Sequence, residues 1–507
     1  MRSSVSFLTL LLATLLVHSL SGISLAADSA ATPTSLAKAD SLRESGRLDE
    51  AILAYTQLIQ ADPKNTLAYV GRARALGEQG KIDRSIADCN EALRLDPRCH
   101  LAYNCRGTAY CHKGQLRQAL ADLNEAIRLN PKDARAFNNR SAIYLAKENY
   151  ELAMADATEA IRLDPKDAMA YANRSAAHSK RGENDLAIAD ASQAIRLNPK
   201  NVTACVNRSV ALIQAGQCDR AVADASEAIR LDPNNAMAYV NRSAALIQAG
   251  QDDGAIADAS KAIRLDPHCS RAYLNRSAAL AHKGDHRRVI ADATRAIELD
   301  GRCANAYFNR GRAYGMLERC DEAIADYARA IELDPKRARL WLDRAALYYT
   351  KEDIHRALID CDEAIRLDSH SAPAYALRAS CHRELNEVRL AIADSIEAIR
   401  LNPKLSRPYF DRGCCYASNG DYAKAMTDFN EAIRLEPTLA DAYFARAHVR
   451  EQQGDGDAAI ADYTKAIELN PNLGRAYQDR GKAYQAKGDT KNAEQDFAKA
   501  KSLGTLR

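Results

Sequence analysis

Residues 304–337 read ANAYFNRGRAYGMLERCDEAIADYARAIELDPKR. Tyr307, Gly311 and Tyr314 recur at helical spacing in the first half, and Ala323, Ile324, Tyr327, Ala330 and Ile331 form a second apolar stripe before Leu333-Asp334-Pro335. This spacing predicts two amphipathic helices. Between them Glu318-Arg319-Cys320-Asp321 is polar, and the first of these positions is glycine in most other repeats, as at Gly80, Gly114, Gly182, Gly216, Gly250, Gly284, Gly420, Gly454 and Gly488. Glycine permits the left-handed conformation that ends a helix, and the proline 17 residues later cannot continue the second one.

Outward from this stretch the same pattern recurs without insertion. Proline stands at 63, 97, 131, 165, 199, 233, 267, 335, 403, 437 and 471, always 34 apart or a multiple of it, with Gly301 and Ser369 in the two gaps. With the recurring proline counted as position 32 of its repeat, fourteen repeats of 34 residues run from Thr32 to Arg507. A helical hairpin of this size cannot bury its own apolar face, so neighbouring repeats must stack. The expectation is an all-α solenoid.

These residues resemble the tetratricopeptide repeat family. Its pattern is an aromatic at position 4, a small residue at 8, an aromatic at 11, Ala at 20, an aromatic at 24, Ala at 27 and Pro at 32, seen here in repeat after repeat. The resemblance implies a right-handed superhelical solenoid of helix-turn-helix repeats. It also implies that the first helix of each repeat lines the concave surface, with positions 2, 5, 6, 9, 12 and 13 facing a ligand.

Composition agrees with Ala-rich helical packing: 47% of residues are hydrophobic and only 6% aromatic. The formal charge is +3, from 70 basic and 67 acidic residues, too weak a field to drive nucleic-acid or membrane-surface binding. The N-terminus reads as a secretory signal peptide over 1–26, with Arg2, the apolar run Phe7 to Val17 and cleavage after Ser24-Leu25-Ala26; a short linker, 27–31, follows. The alternative is an uncleaved N-terminal anchor. The mature chain is therefore expected to be exported, periplasmic or secreted, without membrane insertion after cleavage, and monomeric.

The end repeats differ from the rest. Positions 21 and 28 are aliphatic from Ile52 and Ile59 through Ile460 and Ile467, but the last repeat, 474–507, places Glu494 and Lys501 there. This polar swap reads as a C-terminal cap, and the first repeat, 32–65, with Ser35, Lys38 and Ala39, as a degenerate N-terminal cap. Such caps lead to the expectation that no catalytic domain follows the array. A second regularity is Arg at position 7 and Asp at position 23 in all thirteen later repeats, from Arg72 and Asp88 to Arg480 and Asp496; the first repeat, with Lys38 and Ala54, lacks both. Their joint loss points to pairing within a repeat. The competing reading is a charge row that binds ligand.

Position 6 is Asn in six consecutive repeats, at Asn139, Asn173, Asn207, Asn241, Asn275 and Asn309. An asparagine amide can match the C=O and N–H of an extended peptide without reading its side chains. The series resembles the asparagine ladder of O-linked N-acetylglucosamine transferases, without their catalytic region. Around it Val206, Val240, Leu274, Phe308 and Leu342 at position 5, with Val210, Ile213 and Ile247, predict an apolar floor suited to hydrophobic side chains. Duplication is the competing explanation, because repeats 4–8 share Asn-Arg-Ser and Ala at position 24. Farther on, Asp343, Asp411 and Asp479 replace Asn while Arg339, Arg407 and Arg475 stand at position 2, marking a possible charge-reading subsite. The carboxylate clamp of heat-shock co-chaperones is matched by no three consecutive repeats.

No motif proposes a catalytic residue, cofactor or metal. The 13 cysteines and 11 histidines lack CxxC, HExxH and GxSxG patterns, and the cysteines read as small buried hydrophobes. Five Asn-Arg-Ser sequons, at Asn139, Asn173, Asn207, Asn241 and Asn275, fall inside first helices, where a folded helix is a poor acceptor; Asn201-Val202-Thr203 adds a sixth. The chain is thus expected to be a non-catalytic scaffold whose groove binds a protein or extended peptide, with no nucleic acid as partner. The alternative is a substrate-presenting subunit of an enzyme encoded elsewhere.

Overall fold

The computed structural model describes residues 33–505; the expected leader and linker lie outside them. Among the described residues there are twenty-eight α-helices and no strand. They fall two to a repeat, as in repeat 7, where α1 (Ala236–Gln248) is followed by α2 (Asp252–Leu265). The described residues form two compact bodies, divided after Gly301. Each is a stack of antiparallel helical hairpins in which every helix touches its sequence neighbours.

Sequence chemistry sets the ends of each helix. In five repeats position 34 supplies a side-chain N-cap for the next repeat: Asn65, Asn201 and Asn235 accept from Ala68, Ala204 and Ala238 N–H, and Asp133 and Asp167 cap in the same way. The first helix ends at position 15 with positive φ in all fourteen repeats. Glycine holds ten of these sites, Gly250 at +71° among them, and Glu148, Glu318, Glu352 and Asn386 adopt +59° to +60°. The turn is therefore imposed by hairpin packing even where the residue resists it.

The core is built from close-packed alanines. Ala221, Ala228, Ala238, Ala255 and Ala262 are fully buried where helices cross. Positions 8 and 24 share one space. Where 24 is large, 8 is glycine in repeats 3, 9, 12 and 14 and alanine in repeats 1 and 13; a Cβ on Gly413 would lie 2.7 Å from Phe429 Cε1, and one on Gly481 2.8 Å from Phe497 Cε1. Where 24 is alanine, in repeats 4–8, position 8 is serine, a substitution the smaller partner leaves room for. At the C-terminal end Glu494 and Lys501 are exposed, whereas Ile59 and Ile467 at the equivalent position 28 are buried against a following repeat.

Candidate protein-binding face

The thirteen Arg and Asp residues pair as bidentate forks within each repeat. Every Arg of position 7, from Arg72 to Arg480, donates through Nε and Nη2 to both oxygens of its Asp; in repeat 6 Arg208 does so to Asp224 at 2.6 and 2.7 Å. The hydrogen bonds to Asp are the first cause raising the Arg208 guanidinium above its ordinary value. In ten repeats the fork has a third arm, Nη1 donating to position 25 of the preceding repeat, such as Thr56, Asn90, Ser192, Ser226 and Asp362. Where position 4 is aromatic the guanidinium carbon lies over its ring, 5.2 Å from Trp341 and 5.8 Å from Tyr239. The row thus joins two helices and two repeats, and its charge is neutralised inside the fold.

The asparagine ladder faces the same way. Asn241 Nδ2 donates to Val206 O (3.2 Å) and Ser209 Oγ (2.9 Å) of the preceding repeat, and Asn275 does the same to Val240 O and Ser243 Oγ. Asn207 donates to Ala172 O, Asn173 to Asn138 and Ser141, and Asn139 to Asn104 and Thr108. The serine accepted at position 8 is the one that alanine at position 24 makes room for, so Asn, Ser and Ala recur together for a packing reason as well as by descent. The amide donors expected to read a peptide are therefore engaged between repeats. Asn139, Asn173 and Asn241 are buried, which also removes them, and the buried Asn201, as glycosylation acceptors in the folded chain. Asn207 and Asn275 are partly exposed, and their Oδ1 atoms accept no hydrogen bond among the described residues. Asn309 is likewise partly exposed and belongs to the second body.

The apolar floor is partly closed. Val206 and Val240 are buried, Val206 packing with Ala228 and Ala238, Val240 with Ala262, Cys269 and Ala272; each side chain is spent on stacking the next repeat. Leu274 and Phe308 remain partly exposed, as do Val210, Ile213 and Ile247. Phe308 is flanked by two guanidinium groups, Arg337 at 4.3 Å and Arg312 at 5.6 Å from the ring centre.

In the second body the acidic position 6 is paired rather than open. Asp343 bonds Arg339 on its own helix at 2.7 Å, and Asp479 bonds Lys482. Asp411, wholly buried, accepts from Ser380 Oγ, Arg383 Nε and Arg407 Nε. Arg407 Nη2 also donates to Tyr349 OH, 58 residues earlier, reaching past a complete repeat. Sequence periodicity alone conceals this contact; it shows first helices two repeats apart converging on one face.

The cysteines are free thiols, eight of them buried. Burial pushes the Cys111 thiol up to about 12, as expected for an inert core residue. Among the described residues no helix is long and apolar enough to cross a membrane, and no three His, Cys, Asp or Glu side chains are grouped to hold a metal.

Family models described as tetratricopeptide repeat match residues 36–98, 134–167, 172–236, 206–268, 304–337, 440–473 and 462–495, and one described as TPR repeat matches 107–147 and 413–454. No curated protein matches the chain. Among solved structures it is similar to the APC/C hetero-tetramer Cut9-Hcn1, at 15% identity over 93% of each chain with a TM-score of 0.43. It is also similar to MamA, at 25% identity over 32% of this chain and 94% of that one (TM-score 0.28). A third likeness is to YrrB, described as a TPR protein with an unusual peptide-binding site, at 24% identity over 36% of this chain and 95% of that one (TM-score 0.30). With the helical hairpins, the unbroken 34-residue period and the family matches together, the chain belongs to the tetratricopeptide repeat family, an architecture for protein–protein interaction.

Proposed function

We propose that the chain is a non-catalytic scaffold that holds an extended segment of a partner protein along the face made by its first helices. The observation that carries this is the convergence of those helices, seen in the Arg407–Tyr349 bond across a whole repeat. A face of this kind offers a ligand accessible side chains at regular steps, and in repeats 6 and 7 these are Val210, Ile213 and Ile247. The Oδ1 atoms of Asn207 and Asn275 add acceptors for peptide N–H groups, each worth about 1 kcal/mol. Leu274 and Phe308 supply apolar contact, and Val206 and Val240 support the face from behind.

The N-terminal apolar run supports export, and on this reading the partner is itself an exported protein. A pull-down from the exported fraction followed by mass spectrometry tests the proposal. Recovery of a partner whose binding is lost on replacing Ile213 and Ile247 with Ser, with unfolding unchanged, is the expected result. Stoichiometric retention of an enzyme would favour the substrate-presenting role, and retention undiminished by the groove substitutions would overturn the groove.

A further inference from the structure

The first helix of repeat 9, Ala304–Met316, carries a strip of mixed chemistry along its groove side. Phe308, Arg312 and Met316 stand at positions 5, 9 and 13, four residues apart and so on one face. Phe308 is partly exposed and Arg312 exposed. Met316, at 67%, is the most exposed large apolar side chain among the described residues, and Leu317, at 38%, continues it. Two guanidinium groups meet at the Phe308 end, the Arg337 carbon 4.3 Å and the Arg312 carbon 5.6 Å from the centre of the same ring. Arg337 Nη1 donates to Asn305 Oδ1 at 2.7 Å, which ties its side chain back to this helix.

Neither Arg312 nor Arg337 forms an ion pair among the described residues. The one acidic residue at positions 2, 5, 6, 9, 12 and 13 of repeats 9 and 10 is Asp343, and Arg339 bonds it at 2.7 Å on its own helix. The strip therefore presents positive charge beside exposed apolar surface. A guanidinium binds a carboxylate through charge-assisted hydrogen bonds, and a flexible thioether moulds to apolar side chains. Four residues of helix rise by about 6 Å, close to the roughly 6.6 Å between alternate residues of an extended chain, whose side chains share one face. A carboxylate at Arg312 thus sets the side chain two residues away over Met316. With a guanidinium over the Phe308 ring at 4.3 Å, that ring is a poor platform for a nucleotide base, which favours a peptide anion over nucleic acid.

We propose that repeat 9 takes an acidic and an apolar residue, spaced two apart in an extended partner segment, the carboxylate at Arg312 and Arg337 and the apolar side chain on Met316. The inference rests on the peptide-holding function proposed above and adds which side chains this repeat selects.

Fluorescence anisotropy on the full chain tests this with short labelled peptides of Ser and Val, acetylated and amidated so that their termini carry no charge. One holds a central Glu-Ser-Leu and the others Gln-Ser-Leu, Glu-Ser-Ser or Glu-Leu-Ser; a single-stranded oligonucleotide is the remaining probe. The Glu-Ser-Leu peptide should bind about tenfold more tightly than the Gln form at low salt. Arg312→Gln should abolish that preference without changing affinity for the Gln form, Arg337→Gln should reduce it, and Arg312→Lys should keep part of it. Met316→Ser should remove the advantage of Glu-Ser-Leu over Glu-Ser-Ser and Glu-Leu-Ser. Arg312 and Met316 are exposed, so their variants should unfold at the wild-type temperature. Equal affinity for the Glu and Gln peptides, a preference that survives Arg312→Gln, Glu-Leu-Ser binding as tightly as Glu-Ser-Leu, or tighter binding of the oligonucleotide would each overturn the inference. Peptide affinity that still falls on replacing Ile213 and Ile247 with Ser would then leave the groove function standing. Binding of no peptide would overturn both.

Discussion

Asn241→Ala separates the stacking role of the ladder from a ligand-binding one. The wild-type amide is buried and donates to Val206 O and Ser209 Oγ of repeat 6. Two neutral hydrogen bonds are worth about 0.5–1.5 kcal/mol each. Both acceptors keep other partners, since Ser209 Oγ still donates to Val206 O at 2.7 Å, so no buried group is orphaned and the cost stays toward the lower end. Alanine returns up to about 0.7 kcal/mol of helix propensity. The net expectation is a loss of about 0.5–1.5 kcal/mol, confined to the junction of repeats 6 and 7. Hydrogen exchange should speed about tenfold in Val202–Gln214 and Ala236–Gln248, with little change in repeats 2 and 3. A Ser209→Ala background should reduce the effect, because one acceptor is already gone. Peptide affinity measured well below unfolding should fall only slightly for Asn241, and more for Asn207→Ala and Asn275→Ala together, whose oxygens are partly exposed. Unchanged exchange with abolished binding by Asn241→Ala would refute the stacking assignment.

Four further outcomes follow from the same geometry. Asp224→Ala should cost about 3 kcal/mol by stranding Arg208, and Arg208→Leu with Asp224→Ala less, which chemical denaturation of the two variants measures. Gly413→Ala should cost about 1–3 kcal/mol through the Phe429 ring, with partial rescue by Phe429→Leu, seen as a shift in the denaturation midpoint. Glu318→Gly should stabilise by about 0.5–1 kcal/mol, because the left-handed turn at position 15 is then unstrained; thermal unfolding checks it. Glu494→Ile with Lys501→Ile should turn an exposed polar helix face into a stacking surface and drive end-to-end association, detectable by light scattering at high concentration.

The period, the two helices per repeat and the pairing of Arg with Asp were legible in the sequence, because each is a local pattern repeated with fixed spacing. Joint loss of Arg and Asp from the first repeat was enough to locate their bond. The third arm of the guanidinium was not legible, since position 25 varies among Thr, Asn, Ser, Asp, Ala and Ile and only the stacking brings its polar members within reach. The ladder was visible as a row of six asparagines, but its direction was not: a side chain on a first helix can turn toward a ligand or toward the preceding repeat. Co-occurrence of Asn at 6, Ser at 8 and Ala at 24 was the available signal, and duplication explains it equally well until the Asn241–Ser209 bond is seen. The position 5 valines read as floor for a similar reason, since apolar periodicity does not distinguish a groove from the seam beside it. Local chemistry thus determined the hairpin and its repetition, whereas the superposition of one repeat on the next decided which polar groups were already satisfied and which apolar side chains closed the seam between repeats.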